Sequence, residues 1–341
     1  MTRSSNSNMQ TTLADVAREA GVSKMTASRA LSGKGYASAN AKAKVEAAAD
    51  RLGYRPNPMV RSLMSGVRQR RVEQRGQLLW IDSYPSEDRT PWALLEMLEG
   101  AKIRADHLGY LLTLERLDGL VDCSQRALSR RWVNRGVSGV IVGPLLKSGT
   151  RLDLPWSDFA FSTLGRSLAE PLLHSAMFHY PHAMRRLLVE AAAGGAQRIG
   201  YAHLPELDAR AEESALMVME HYCLRAGIDP ALACPSYDNW ERENWRQWVK
   251  RFQPDLVIGD NVNICDWLRD AGFQIPEDLQ FFTLSRRDRS DEIMGIRFPY
   301  RDLGSAAVDL VAAQVERNER GIPKRPKTLM LEGDWVSPHF G

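Results

Sequence analysis

The sequence contains few cysteines and no long hydrophobic run. Its 341 residues include 4 cysteines, Cys123, Cys223, Cys234 and Cys265, which lie far apart with no paired spacing. This pattern argues against a disulfide framework or a cysteine-ligated metal site and favours reduced cysteines in a core. No apolar stretch reaches the ~20 residues that a membrane helix needs, and residues 1–10 are polar, without a secretory signal. We therefore expect a cytoplasmic protein that does not enter a membrane.

Motifs that carry catalysis are missing as well. The sequence has no G-x-S-x-G, no phosphate-binding loop and no H-E-x-x-H segment. His179 and His182 lie three residues apart at a predicted helix start, but no cysteine or carboxylate cluster lies near them in the sequence. We predict no metal site, no cofactor and no enzymatic activity.

Positive charge is concentrated at one end of the chain. Residues 1–75 contain 14 Lys and Arg against 5 Asp and Glu, a net charge of +9, whereas residues 76–341 contain 31 against 37, a net charge of −6. This asymmetry is expected when one end of a protein contacts phosphate groups and the other does not. The alternative, that the basic residues only solvate a helical segment, is disfavoured by the helix-turn-helix described next.

Near the N-terminus, the sequence predicts two short helices joined by a tight turn. Thr12 is the predicted cap of the first helix, Gly21 ends it, and Ser23 caps a second helix from Lys24 to Leu31. The inner face of the first helix is formed by Leu13, Val16, Ala17 and Ala20, and Ala27 and Ala30 face inward from the second. Two such helices form a helix-turn-helix, whose second helix can enter the major groove of DNA.

A third amphipathic helix and a Pro-containing segment follow. Ser38 is its predicted cap, and Gly53 ends it before Tyr54-Arg55-Pro56-Asn57. The motifs D-V-A-x-x-A-G-V-S, T-x-S-R and Y-x-P-N, in this order, resemble the head-piece of the LacI/GalR family of transcription regulators. The resemblance implies that residues 1–58 form a DNA-binding head-piece and residues 59–75 a hinge and basic linker.

The predicted DNA contacts come from the second helix and the hinge. Lys24 and Arg29 can donate to guanine, Met25 can touch a thymine methyl, and short hydroxyl side chains suit phosphate. The resemblance implies that Leu63 inserts into the minor groove as a wedge between base pairs. The alternative is that Leu63 only packs within the linker. The family usually has an alanine three residues before the wedge, and this sequence has Val60 there. The full predicted set is Thr12, Ser23, Lys24, Met25, Thr26, Ser28, Arg29, Asn57, Arg61 and Leu63.

Residues 76–341 alternate between predicted strands and helices, which indicates parallel sheets covered by helices on both faces. The predicted helices include Trp92–Leu108, Ala183–Gly194, Ala209–Ala226 and Glu241–Phe252, the last with Trp245, Trp248 and Phe252 as core residues. The segments GVSGVIVGP, GAQRIGYA and PDLVIGDN resemble the two-lobed body of the same family, which has the periplasmic-binding-protein fold. The predicted fold class is therefore α/β, with an all-α head-piece before a two-lobed body.

Ligands of parallel sheets bind at the carboxyl ends of the strands, here between the two lobes. The predicted effector-binding residues are Tyr84, Trp92, Thr163, Arg210, Trp240, Asp260, Asn261 and Ser285. In sugar-binding members of the family that the chain resembles, an asparagine-aspartate pair, an arginine and an aspartate later in the sequence bind the sugar hydroxyls. Here the pair is reversed to Asp260-Asn261, and the late position has Ser285-Arg286, so a cleft that binds no sugar stays open.

The resemblance implies a DNA-binding transcription regulator, a repressor by type, controlled by a small-molecule effector such as a carbohydrate. Its partners are double-stranded operator DNA and a second copy of the chain, as a homodimer. One alternative is a solute-binding protein with the same body and no DNA role, which the basic head disfavours. Another is a DNA-acting enzyme, which would need a nucleophile or metal cluster that the sequence does not present.

Overall fold

The computed structural model describes residues 13–23, 26–27, 30–31, 38–52, 76–84, 90–120, 122–235, 241–287 and 293–337. The chain divides into two compact units, residues 1–75 and 76–341, and each is described by itself. Within the described ranges, no helix combines the length and the apolar character that crossing a bilayer requires.

The N-terminal unit contains helix α1 (Leu13–Glu19) and helix α2 (Ala39–Arg51), with helical residues between them at 26–27 and 30–31. Gly21 has a φ of 66° in the turn after α1, a conformation that glycine adopts without a steric cost. The Ser23 hydroxyl accepts a hydrogen bond from the Thr26 N–H at 3.1 Å. The predicted turn and the predicted cap are therefore confirmed.

The core of this unit is built from small side chains. Ser38 caps α2 by accepting a hydrogen bond from the Ala41 N–H at 3.3 Å. The buried residues are Val16, Ala17, Ala20, Ala27, Ala30, Val45, Ala48 and Ala49. They include the inward-facing residues predicted for both helices of the helix-turn-helix, apart from Leu13, whose side chain lies outside the described part of the structure.

Residues 76–341 form two lobes, each around its own sheet. Lobe 1 has a six-stranded parallel sheet in the order β12-β7-β5-β3-β1-β2. Its strands are β1 (Gln77–Asp82), β2 (Leu111–Arg116), β3 (Val137–Val142), β5 (Ala160–Leu164), β7 (His174–Phe178) and β12 (Thr328–Leu331). Helices α3 (Trp92–His107), α4 (Gln125–Asn134) and α11 (Tyr300–Arg317) cover it, and β4 (Thr150–Arg151) pairs with β6 (Leu168–Glu170) in a separate ribbon.

Lobe 2 has a five-stranded sheet in the order β13-β11-β10-β9-β8, parallel except for β13. Its strands are β8 (Ile199–Ala202), β9 (Leu256–Gly259), β10 (Gln280–Thr283), β11 (Met294–Arg297) and β13 (Asp334–Val336). Its helices are α5 (Tyr180–Ala193), α6 (Pro205–Ala209), α7 (Ser214–Ala226), α8 (Pro230–Ala233), α9 (Arg242–Phe252) and α10 (Asn263–Asp270). The predicted core residues Trp245, Trp248 and Phe252 are buried, which confirms that prediction.

The described chain passes between the lobes at three points. The first follows β7 and leads into α5, the second follows β11 and leads into α11, and the third joins β12 to β13. Both lobes are therefore assembled from segments that are distant in the sequence, and the carboxyl ends of their parallel strands face a shared cleft.

The structure corrects one predicted helix and adds elements that were not predicted. The helix expected over Ala209–Ala226 begins only at Ser214, because Glu212 and Glu213 have φ values of 56° and 53° and break the helical path. Strands β7, β11, β12 and β13 and helix α11 were not predicted either. The predicted alternation of strands and helices is otherwise confirmed.

Candidate functional site

A cavity of about 700 Å³ lies between the two lobes. Its walls come from the segments that follow β1, β3, β5 and β7 in lobe 1 and β8, β9 and β10 in lobe 2. Aromatic side chains dominate them: Tyr84, Trp92, Phe178, Tyr180, Tyr201, Trp267 and Tyr300. A concave, mainly apolar cavity with a few polar groups is typical of a small-molecule binding site.

Arg210 links the two lobes at one side of this cavity. It follows α6 in lobe 2, and its guanidinium donates to the Tyr84 hydroxyl at 3.2 Å and to the Leu146 carbonyl at 2.7 Å, both in lobe 1. Beside it, Glu206 accepts a hydrogen bond from the Ser148 N–H at 2.6 Å. These hydrogen bonds join the lobes through side chains, in addition to the main-chain passages between the lobes. A change in the distance between the lobes must therefore lengthen or break them.

Asp260 and Asn261 form a connected polar group on the lobe 2 wall. Asp260 accepts hydrogen bonds from the Leu204 N–H at 2.7 Å and from the Asn261 amide at 2.6 Å. Burial of the carboxyl raises the pKa of Asp260 to about 7, and the nearby charge of Asp208 adds to this effect, whereas the Leu204 hydrogen bond opposes it. The carboxyl group therefore changes between a hydrogen-bond donor and a pure acceptor near neutral pH.

A buried pair lies behind this wall. His203 Nδ1 and Asp208 Oδ2 are 2.9 Å apart, and both side chains are 3% exposed. Because buried polar groups are costly unless they are paired, this contact fixes the segment from the end of β8 through α6, which carries Leu204 and leads to Arg210. Asp208 lines the cavity, whereas His203 does not and supports the wall from behind.

The opposite end of the cavity is closed by aromatic contacts. The rings of Trp92 and Tyr300 meet edge to face with centroids 4.9 Å apart, and the Arg287 guanidinium lies 4.7 Å from the Trp92 ring centroid. The Ser285 and Tyr300 hydroxyls are 2.6 Å apart. Burial raises the pKa of Tyr300 to about 12, so its hydroxyl keeps its proton at neutral pH.

The structure brings six of the predicted effector residues to this cavity: Tyr84, Trp92, Arg210, Asp260, Asn261 and Ser285. Thr163, although within the described part of the chain, does not line it. Its side chain is 4% exposed, and its hydroxyl donates to the Val142 carbonyl at 3.1 Å within the sheet of lobe 1. Thr163 thus lies one residue before Leu164, the last residue of β5, where the cavity lining begins. Trp240 lies outside the described residues.

Of the predicted DNA-binding residues, the structure describes Ser23 and Thr26, whose hydroxyls are 2.9 Å apart at the start of the second helix. Their hydroxyls therefore already take part in the helix cap. The other predicted contacts lie outside the described residues, namely Thr12, Lys24, Met25, Ser28, Arg29, Asn57, Arg61 and Leu63.

Sequence reasoning missed several residues that line the cavity. Phe178 ends β7 and Tyr180 follows it, and because this strand was not predicted, the rule that places ligands at strand ends could not reach them. Arg166 follows β5 by two residues and Arg287 follows β10 by four, so extending the rule to four residues beyond the strand ends would have found both.

Comparisons with known proteins agree with this arrangement. The model of the family described as "Bacterial regulatory proteins, lacI family" matches residues 12–57. The HTH-type transcriptional regulator AscG of Escherichia coli (strain K12) is 53% identical over 53 residues, a match that covers 16% of each chain. The chain thus spans about a sixth of that relative. Catabolite control protein A of Staphylococcus aureus is 23% identical over 321 residues, which cover 89% of this chain and 92% of that protein.

Two solved structures extend the likeness to the whole chain. A complex of the transcriptional regulator CelR with cellobiose has a TM-score of 0.60 at 18% identity and covers 97% of this chain and 100% of its own. The lac repressor dimer bound to operator and the anti-inducer ONPF has a TM-score of 0.56 at 21% identity, with coverages of 96% and 98%. At these identities the likeness shows a shared fold. Over residues 12–57 the chain is therefore similar to the lacI family of bacterial regulatory proteins, and its body has the fold of these solved structures.

Proposed function

We propose that this protein is a transcription regulator that binds operator DNA through its N-terminal unit and a small-molecule effector between the two lobes of its body. One observation carries the proposal: a helix-turn-helix unit that matches the lacI-family model precedes a two-lobed body with an aromatic cavity at the carboxyl ends of its strands. The protein acts by binding rather than by catalysis, in the cytoplasm, where it meets DNA. Repression is the direction of control that we infer.

The effector acts through contacts that differ between two arrangements of the lobes. Arg210 and Glu206 of lobe 2 already bond to Tyr84, Leu146 and Ser148 of lobe 1 in the described arrangement. A ligand that competes for Arg210, or that adds contacts across the cleft, changes the relative free energy of the two arrangements. Operator affinity then changes by the coupling between the lobes and the N-terminal unit.

The chemistry of the cavity fits a hydroxyl-bearing ligand such as a carbohydrate. Aromatic faces can cover the C–H faces of a sugar ring, and Asp260, Asn261 and Ser285 offer hydrogen-bonding groups to its hydroxyls. The CelR neighbour is described as a cellobiose complex, which supports this class of ligand without naming the ligand of this chain.

We further propose a homodimer that binds a near-palindromic operator, one half-site for each N-terminal unit. Apolar side chains are exposed on both lobes, as a surface that packs against a second copy requires. On lobe 1 these include Leu111 and Leu114 of the edge strand β2, 46% and 40% exposed. On lobe 2, Val189 of α5 is 62% exposed and Leu224 of α7 is 68% exposed.

The full-length protein provides the test. Operator sequences are selected from random DNA, and sugars are screened for a rise in melting temperature and for a change in operator affinity. We expect a palindromic sequence and at least one sugar that changes both. Failure to enrich any sequence would contradict the DNA-binding role.

Cavity variants test the effector site separately. Asp260→Ala should leave operator binding intact and abolish the response to the effector. The matched control is Asp266→Ala on α10, which removes an exposed carboxylate that pairs with Arg269 at the surface. An unchanged effector response in Asp260→Ala would contradict the assignment of this cavity.

A further inference from the structure

Two imidazoles and one carboxylate converge outside the effector cavity. His179 and His182 lie at the start of α5, and Glu332 lies directly after β12. His179 Nδ1 is 2.7 Å from Glu332 Oε1, and His182 Nε2 is 3.8 Å from Glu332 Oε2. One ligand atom from each of the three residues lies within 4.8 Å of the others. The sequence prediction found no carboxylate near this histidine pair, because Glu332 is about 150 residues away in the chain.

The backbone of the sheet produces this convergence. Strands β7 and β12 are parallel neighbours, and their last paired residues are Phe178 and Leu331. The His179 N–H donates to the Leu331 carbonyl at 2.9 Å, so His179 and Glu332 leave the sheet side by side. One helical turn later, His182 lies on the same side of α5, and the two imidazole rings stack with centroids 5.7 Å apart and an angle of 24°.

We propose that His179, His182 and Glu332 form a binding site for a divalent transition metal ion, with Zn²⁺ as the first candidate. Imidazole nitrogen and carboxylate oxygen are preferred ligands of Zn²⁺, and three protein ligands with a water in the fourth position form a recurrent zinc geometry. The side chains are 32%, 57% and 58% exposed for His179, His182 and Glu332, so an ion reaches them directly and they can turn toward it. Coordination by Nδ1 displaces the hydrogen bond between His179 and Glu332, because the Nδ1 proton must first leave, either to Nε2 of the same ring or to water.

The location gives the site a consequence of its own. His179 begins the passage from β7 to α5, and Glu332 lies in the passage from β12 to β13, so the two ligands belong to two of the passages between the lobes. A bound ion links these two passages and restricts the movement of one lobe relative to the other. None of these three described residues lines the cavity, and the site does not depend on the identity of the effector.

Metal binding by the full-length protein tests the proposal. Zn²⁺ is titrated in competition with a chromophoric chelator, into the wild type and into His182→Asn, His179→Asn and Glu332→Gln. We expect each variant to lose one bound equivalent. The matched control is His221→Asn, which removes an exposed imidazole from α7 and should bind like the wild type. Circular dichroism and metal-free melting temperatures establish that each variant is folded.

His182→Asn is the decisive variant, because the His182 side chain is 57% exposed, whereas that of His179 is 32% exposed and its replacement carries a greater risk for the fold. Co²⁺ provides a second readout, since a tetrahedral site with nitrogen and oxygen ligands gives visible absorption bands that a loose surface ion lacks. We expect these bands in the wild type and in His221→Asn and their loss in His182→Asn. Equal Zn²⁺ stoichiometry in the wild type and in a folded His182→Asn would overturn the proposal, as would a wild type that binds no Zn²⁺ or gives no Co²⁺ bands.

Discussion

The N-terminal unit and the two-lobed body reach stability in different ways. The described core of the N-terminal unit consists of two valines and six alanines, whereas the body buries Trp132, Trp245, Tyr201 and Phe161. Free energy from apolar burial grows with the area removed from water, so the first core contributes far less for each residue. The net charge differs as well, +9 against −6. The comparison teaches that the body is stabilised by its own core, whereas the N-terminal unit has a small core and a positive charge that a bound polyanion would neutralise.

The largest effect that we expect from this difference is on DNA binding. If about 6 to 10 phosphates are contacted, operator affinity falls by about 10³- to 10⁵-fold between 50 and 200 mM salt. Affinity for a neutral effector should hardly change over the same range. Fluorescence anisotropy with labelled operator and calorimetry with effector measure the two. A flat salt dependence of operator binding would remove the electrostatic half of the comparison.

Core substitutions should separate the two units by stability. Trp245→Ala removes a fully buried indole from the body and should cost about 3–5 kcal/mol in free energy of unfolding. Val45→Ala removes two methyl groups from the core of the N-terminal unit and should cost about 2 kcal/mol in free energy of unfolding. Because that unit is the smaller of the two, we expect this loss to lower its melting temperature more than the same loss would lower that of the body. Calorimetry of both variants resolves the two transitions. A single transition that shifts equally in both would show that the units do not unfold separately.

Base-reading residues should produce a smaller, sequence-specific loss. Lys24→Ala and Arg29→Ala should each cost roughly 1–3 kcal/mol on operator DNA and much less on random DNA, since a bidentate contact with guanine is lost. Lys42→Ala on α2, which removes a lysine 3.9 Å from Glu46, is the control for loss of one positive charge. Equal losses on both kinds of DNA would reassign the two residues to phosphate contacts.

A more gradual effect, spread over three pH units, is a pH dependence that arises in the body. Because the pKa of Asp260 is raised to about 7, folded protein holds a proton that the unfolded chain releases near pH 4. Stability should therefore fall as the pH rises from 4 to 7, by at most about 1.4 kcal/mol per pH unit from this group. Asp260→Asn should flatten that part of the profile. Urea unfolding followed by tryptophan fluorescence measures it, and an unchanged profile in the variant would place the pKa of Asp260 in its usual range.

Local patterns in the sequence were sufficient for much of the fold. The cap at Ser23, the turn at Gly21 and the core face of α9 each follow from residues within one or two helical turns, so the sequence predicts them directly. The helix break before Ser214 could not be predicted in this way. It depends on two glutamates in the left-handed region, which that residue type seldom adopts.

The site was predictable only where a predicted strand led into it. Tyr84, Asp260 and Asn261 follow β1 and β9, and both strands are evident from apolar runs. Tyr180 and Tyr300 enter the cavity from passages between the lobes, which no local pattern reveals. The same reason applies to Glu332 beside His179, since only the pairing of β7 with β12 brings them together.

The interleaving of the lobes has a consequence for synthesis on the ribosome. Lobe 1 needs helix α11 and strand β12, and lobe 2 needs strand β13, yet all three are translated after every other element of the body. The N-terminal unit can fold as soon as it leaves the exit tunnel, whereas neither lobe can be completed before residues 300–336 are translated. A nascent body therefore exposes the face of the lobe 1 sheet that α11 covers, and the unpaired edges of β7 and β11, until the end of translation. This period makes the growing chain a client for chaperones that shield apolar surface.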